Sequence, residues 1–161
     1  MINYIDYRDK YKDALKIFQQ RQWGENSDSD EIFDDINNYI IKLVLNDDVL
    51  IGTIIYHKIN EKVVYLDMVV IDKQYQKMGI GSKLLGDLII YAKDNNISII
   101  ETKAIEAKGH INSKKLLENY GFVQGETING YWGKLYPDFN CLECGCCPCI
   151  CNMHEYFKVI I

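Results

Sequence analysis

Residues 66–85 read Leu66-Asp67-Met68-Val69-Val70-Ile71-Asp72-Lys73-Gln74-Tyr75-Gln76-Lys77-Met78-Gly79-Ile80-Gly81-Ser82-Lys83-Leu84-Leu85. The first third extends an apolar run that starts at Val63, and such a run marks a strand buried on both faces. The last third opens a helix, because Ile80, Leu84, Leu85, Leu88, Ile89 and Ala92 fall on one side of a 3.6-residue period between Gly79 and Lys93. The turn between them carries glycines at 79 and 81. A helix start exposes unpaired amides and the positive end of the helix dipole, which together attract anions. Glycines there let a phosphate reach the backbone with no Cβ in its way. The stretch lacks the residues of both the dinucleotide fingerprint and the P-loop. Gln76-x-x-Gly79-x-Gly81 draws its meaning from its place between a buried strand and an amphipathic helix.

Upstream, Tyr11, Ala14, Leu15 and Phe18 space residues 9–20 as a helix, residues 23–31 read as a polar loop, and Ile32, Phe33 and Ile36 mark a second short helix. Tyr39 to Leu45 and Val49 to His57 read as a hairpin across Asn46-Asp47-Asp48, and Val63 to Ile71 joins them after a turn at 60–62. Downstream, Asp94-Asn95-Asn96 ends the helix and Ile97 to Thr102 returns as a strand. A second amphipathic helix covers 112–120 and closes at Gly121, a natural C-cap. Phe122-Val123, Tyr131-Trp132 and Glu155 to Ile161 read as later strands. The pattern predicts an α/β fold, a single domain over residues 1–161 around one mixed sheet.

Two blocks in this order resemble the GNAT superfamily of acyl-CoA-dependent N-acyltransferases. One is the strand–turn–helix of residues 66–85; the other is His110-Ile-Asn-Ser-Lys-Lys-Leu-Leu-Glu-Asn-Tyr-Gly-Phe122. The resemblance implies a mostly antiparallel central sheet with splayed strands, flanked by helices, and transfer of an acetyl group from acetyl-CoA to a primary amine by direct attack. It places pantetheine on the backbone of Val69, Val70 and Ile71, and the pyrophosphate on the amides of Gln76, Lys77, Met78, Gly79, Ile80, Gly81 and Ser82. His110 and Ser113 are expected on the cofactor as well. Two positions depart from the family: many members have asparagine where His110 stands, and a general-acid tyrosine where Leu117 stands. Tyr120, one turn further on, is the remaining candidate acid on this helix, against a reading as a core residue. Asp67, which interrupts the apolar strand, is the candidate base, because a buried carboxylate has a raised pKa and can take a proton from an ammonium. Its plain alternative is an aspartate that hydrogen-bonds a neighbour at the splayed edge. His57 reads as an ordinary strand histidine.

With 161 residues, 48% of them hydrophobic, and two prolines, the chain can build a full core without staples. No apolar run approaches the ~20 residues of a membrane span, and no basic segment leads into an apolar stretch at the N-terminus. The expectation is a cytoplasmic protein, with oligomeric state open and a dimer among the possibilities. Residues 1–48 hold 11 acidic and 6 basic side chains, whereas the rest of the chain is balanced. This acidity argues against nucleic acid or anionic membrane as partner. Glu25, Asp28, Asp30, Glu31, Asp34 and Asp35 form either a solvated surface or a lure for a cationic small-molecule or peptide amine.

All six cysteines lie in residues 141–151. Such clustering favours metal or redox chemistry over a disulfide framework. Cys141, Cys144, Cys147 and Cys151 have a ferredoxin-like spacing; four thiolates around zinc, with His154 as a further donor, is the second reading, and metal-free thiols the third. The rival function is therefore a CoA-binding protein of the same fold with a metal- or redox-responsive cluster and no turnover.

Overall fold

The computed structural model describes residues 1–24 and 30–161; Glu25 and Asp28 of the acidic segment, and most of the expected loop at 23–31, lie outside the described residues. The elements are β1 (Ile2–Asp6), α1 (Lys12–Trp23), α2 (Asp30–Asp34), β2 (Tyr39–Asn46), β3 (Val49–Lys58), β4 (Val63–Ile71), α3 (Ile80–Asp94), β5 (Ile99–Ala107), β6 (His110–Ile111), α4 (Lys114–Asn119), β7 (Val123–Ile128), α5 (Tyr131–Leu135) and β8 (Asn152–Val159). Among the described residues these strands form one eight-stranded sheet in the order β1-β2-β3-β4-β5-β8-β7, with β6 pairing β5. Neighbours run antiparallel except β4 and β5. The fold is the expected mixed α/β sheet flanked by helices. Among the described residues no helix is long and apolar enough to cross a membrane.

Local chemistry accounts for the turns. Asn46 faces Val49 across a two-residue loop whose residues, Asp47 and Asp48, both have positive φ (46° and 67°). That is the backbone a tight hairpin needs, and aspartate tolerates it better than most residues.

The sheet is buried on both sides. On one face Val44, Ile54, Val64, Leu66 and Ile100 pack with Leu84, Leu85 and Leu88 of α3 and Leu117 of α4. On the other, Ile41, Leu43, Leu45 and Ile55 pack with Leu15 and Phe18 of α1 and Phe33 of α2. In β4 the alternation slips. Ile55 pairs with Met68 and Tyr56 with Leu66, so Asp67 has no counterpart on β3. The bulge lets Val64 and Leu66 before it, and Val69 and Ile71 after it, serve the same core, while Met68 and Val70 turn to the other.

β1, α5 and the bounds of β5 and β8 depart from the expected elements. β1 was not legible, since its five residues form a largely exposed edge with little apolar period. Tyr131-Trp132 starts the short helix α5 rather than a strand, behind a left-handed Gly130 (φ 60°). β5 runs on to Ala107 and β8 starts at Asn152. His110 lies on the short strand β6, ahead of the helix, as the expected bounds 112–120 allow.

Candidate active site

The parallel pairing of β4 and β5 runs from Val63 and Ile99 to Leu66 and Thr102 and stops there. Thr102 Oγ1 donates to the Leu66 carbonyl at 2.8 Å and closes the crotch. Beyond it the two strands diverge. Val69, Val70 and Ile71 stay paired to β3, and residues 103–106 stay paired to β8. The facing backbone edges of the two strands have no ladder between them among the described residues. This opening is the splay the resemblance implies.

β4 leads to the anion-binding turn. Gln76 Nε2 donates to the Ile71 carbonyl at 2.9 Å and ties the turn to the strand end, so that carbonyl already has a partner. Lys77 (φ 62°) and Gly79 (φ 82°) hold left-handed backbone. Gly79 is the N-cap of α3 and brings no side-chain cap, so the first amides of the helix carry no side-chain partner there. A Cβ on Gly79 would meet nothing within 4 Å; its φ, not crowding, calls for glycine.

At the mouth of the splay stand Asp67 on one arm and Lys103 on the other, each one residue past the last parallel pair. Asp67 Oδ2 lies 2.7 Å from His57 Nδ1. Burial pushes the Asp67 carboxyl above the ordinary aspartate value, and the hydrogen bond and charge of His57 offset only part of that. Tyr39 and Tyr65 flank the His57 ring at 5.0 and 5.8 Å between centroids. Lys103 Nζ bonds the Tyr65 hydroxyl at 3.3 Å and sits 5.0 and 5.9 Å from the Tyr65 and Tyr131 ring centroids. Burial, then the charges of Asp67, Glu31 and Asp35, raise the Tyr39 phenol above its usual value. The acidic element therefore acts on a ring that touches this group.

The late helix holds the other candidate residues. The Tyr120 hydroxyl donates to the Ser82 carbonyl at 2.7 Å, its ring lies beside Gly86, and it packs on the core of α3. Its proton has a partner in the Ser82 carbonyl, so Tyr120 joins α4 to α3, in keeping with its reading as a core residue. Ser113 is half-buried at the start of α4 without a side-chain cap bond, and His110 is exposed on β6.

Among the cysteines, spacing misleads at one position. The sulfurs of Cys141, Cys144, Cys149 and Cys151 lie within 4.8 Å of one another. Cys147 is exposed, and its thiol reaches the Pro137 carbonyl at 3.6 Å. Cys149, which is buried, takes the place expected for Cys147. His154 is not a donor either: its Nε2 is held by Glu106, and its Nδ1 lies 2.9 Å from both Gln124 Nε2 and Thr127 Oγ1.

Sequence reasoning missed His57, Tyr39, Tyr65 and Lys103 as a group. The register pairs His57 with Tyr65 across the turn at 60–62, a relation readable from that turn, and with Tyr39 across the β2–β3 hairpin, whose register is shifted by a bulge between Val44 and Leu45. The bulge that sets Asp67 beside His57 was not readable.

The profile of the acetyltransferase (GNAT) family matches residues 6–122. No curated protein sequence matches the chain. Among solved structures, an IAA acetyltransferase from Bacillus cereus superposes with a TM-score of 0.77 at 16% identity, covering 99% of each chain. A Bacillus subtilis acetyltransferase in complex with CoA gives 0.75 at 17%, covering 100% of both. The ribosomal-protein-S18-alanine N-acetyltransferase from Escherichia coli gives 0.74 at 15%, covering 99% of this chain and 94% of that one. With the family profile spanning most of the chain, and a splayed sheet meeting an uncapped helix start, this protein belongs to the GNAT acetyltransferase family.

Proposed function

We propose that the chain transfers the acetyl group of acetyl-CoA to a primary amine on a cationic acceptor, by direct attack. The observation that carries the reading is the divergence of β4 and β5 after Leu66 and Thr102, immediately before the turn that ends in Gly79. A splay of this kind offers free backbone edge to pantetheine, and the start of α3 offers amides to the pyrophosphate. Structures of family members with acetyl-CoA or CoA bound are consistent with it. Because β8 follows the cysteine segment and lies between β5 and β7, we take residues 1–161 as one catalytic unit.

In this mechanism Asp67 takes a proton from the acceptor ammonium, directly or through one water, with His57 holding the carboxylate in place. The free amine attacks the thioester carbonyl, whose developing negative charge is met by backbone amides of β4. The C–N bond forms, the C–S bond breaks, the nitrogen gives its second proton to solvent to become a neutral amide, and the leaving thiolate is protonated from solvent as CoA. Glu31, Asp35 and Asp67 favour an acceptor that arrives as a cation. Titrating released thiol with acetyl-CoA and a panel of polyamines, aminoglycosides and peptides tests this. Release with at least one amine is expected. Thermal stabilisation by acetyl-CoA with no release on any amine would instead support binding without turnover.

A further inference from the structure

We propose that Cys141, Cys144, Cys149 and Cys151 bind one zinc ion through four thiolates, and that this ion braces the wall of the acceptor cleft. A single Zn²⁺ with bonds of about 2.3 Å to four sulfurs sets tetrahedral edges of about 3.8 Å. Cys141 and Cys151 already stand 3.8 Å apart, Cys144 and Cys149 3.9 Å, and every other pair lies within 4.8 Å. An iron–sulfur cluster, with several irons between its ligands, spreads its cysteines more widely than one ion does. Three of the four are buried, at 4%, 2% and 2% exposure for Cys141, Cys149 and Cys151. Thiols make only weak hydrogen bonds, so packing alone gives no reason to gather four sulfurs here when residues 1–140 hold no cysteine.

The backbone is folded around the four sulfurs. After Cys144 the chain turns through Gly145 (φ 72°), whose amide donates to the Cys141 carbonyl at 2.8 Å, and Cys141 N–H donates to the Cys146 carbonyl at 3.3 Å. Each thiol gives up its proton to solvent as the ion binds.

This loop is pressed against α1 and α5. Leu142 N–H donates to the Trp23 carbonyl at the end of α1 at 3.3 Å. The Cys149 carbonyl lies so close to Gly133 of α5 that a Cβ there would come within 2.1 Å of it. Trp23, Trp132 and Tyr136 pack on the same cysteines. At the start of α5, Tyr131 faces Lys103, which bonds Tyr65 beside His57. A chain of contacts thus joins the four sulfurs to the acceptor side, and this second half of the proposal rests on the acetyltransferase reading above.

Full-length protein purified without chelator should contain one zinc per chain by elemental analysis. Replacing it with Co²⁺ should give the visible d–d and thiolate charge-transfer bands of a tetrahedral four-sulfur site. Cys149→Ser should lose the metal and Cys147→Ser should keep it. Removing zinc should raise KM for the acceptor while acetyl-CoA still raises Tm. Metal-free native protein with all six thiols titrating at once would overturn the site; so would an iron–sulfur chromophore, or zinc retained in Cys149→Ser but lost in Cys147→Ser. Unchanged acceptor KM after zinc removal would overturn the bracing role alone. Absence of acetyl transfer to any amine would overturn the enzymatic reading and leave the zinc count standing.

Discussion

Asp67 is a half-buried carboxyl that the fold holds beside an imidazole rather than beside a cation of fixed charge. Its pKa is raised, first by burial, with His57 opposing. A carboxyl whose folded pKa lies above its unfolded value favours the protonated state in the fold. Ionising it therefore costs stability; the cost is absent below the ordinary carboxylate range and complete above the folded pKa. Asp67→Asn should accordingly keep or raise Tm at pH 7, with the difference closing in acid, while kcat drops about 10²–10⁴-fold if Asp67 is the base. The wild-type rate should fall on the acidic side at a pH above the ordinary aspartate value, a limb absent from Asp67→Asn. A loss of Tm with unchanged kcat would make Asp67 a purely structural partner of His57. Tyr120 supplies the opposite case. Tyr120→Phe removes the bond to the Ser82 carbonyl and should cost about 1 kcal/mol in urea unfolding, with kcat kept within about twofold, well short of the 10²-fold or more expected on loss of a general acid.

The strand–turn–helix unit divides what the sequence reveals from what it hides. Its apolar run and its helical period are properties of single segments, so Val63–Ile71 matches β4 end to end and α3 begins one residue after Gly79. The bulge at Asp67 and the end of pairing at Thr102 are relations between strands, and no single segment encodes them. The same limit explains why Cys147 was expected in place of Cys149: linear spacing carries no record of how a loop folds. Within this unit Gly79 separates backbone strain from anion binding. Gly79→Ala should destabilise by about 1–2 kcal/mol through its left-handed φ, with acetyl-CoA affinity nearly kept, since a Cβ there meets open space. Gly79→Glu adds a carboxylate where the pyrophosphate is proposed to sit and should weaken acetyl-CoA by roughly tenfold or more. Equal affinities in folded Ala and Glu variants, read by calorimetry, would move the pyrophosphate away from this turn.

Across the whole molecule the excess negative charge lies in the first 48 residues, and the fold brings part of it toward the cleft. Glu31 and Asp35 act on the Tyr39 phenol, and the Tyr39 ring lies 5.0 Å from that of His57. A cationic acceptor approaching Asp67 from that side would pass a field of like sign to the one it finally meets. Such attraction acts on encounter and KM, and salt screens it within a Debye length of ~8–10 Å. Asp35 accepts a bond from Asn38 Nδ2 at 2.6 Å, and asparagine at 35 can still accept there, so neutralisation need not disturb the turn before β2. The Glu31→Gln, Asp35→Asn variant should raise KM for a polyamine acceptor about fivefold at low ionic strength, equivalent to ~1 kcal/mol from two exposed charges. Its kcat and its KM for acetyl-CoA should stay put, and the gap from wild type should shrink as salt is added. A KM that ignores both the substitutions and the salt would reduce the acidic element to solvated surface, and a neutral or anionic best acceptor would do the same.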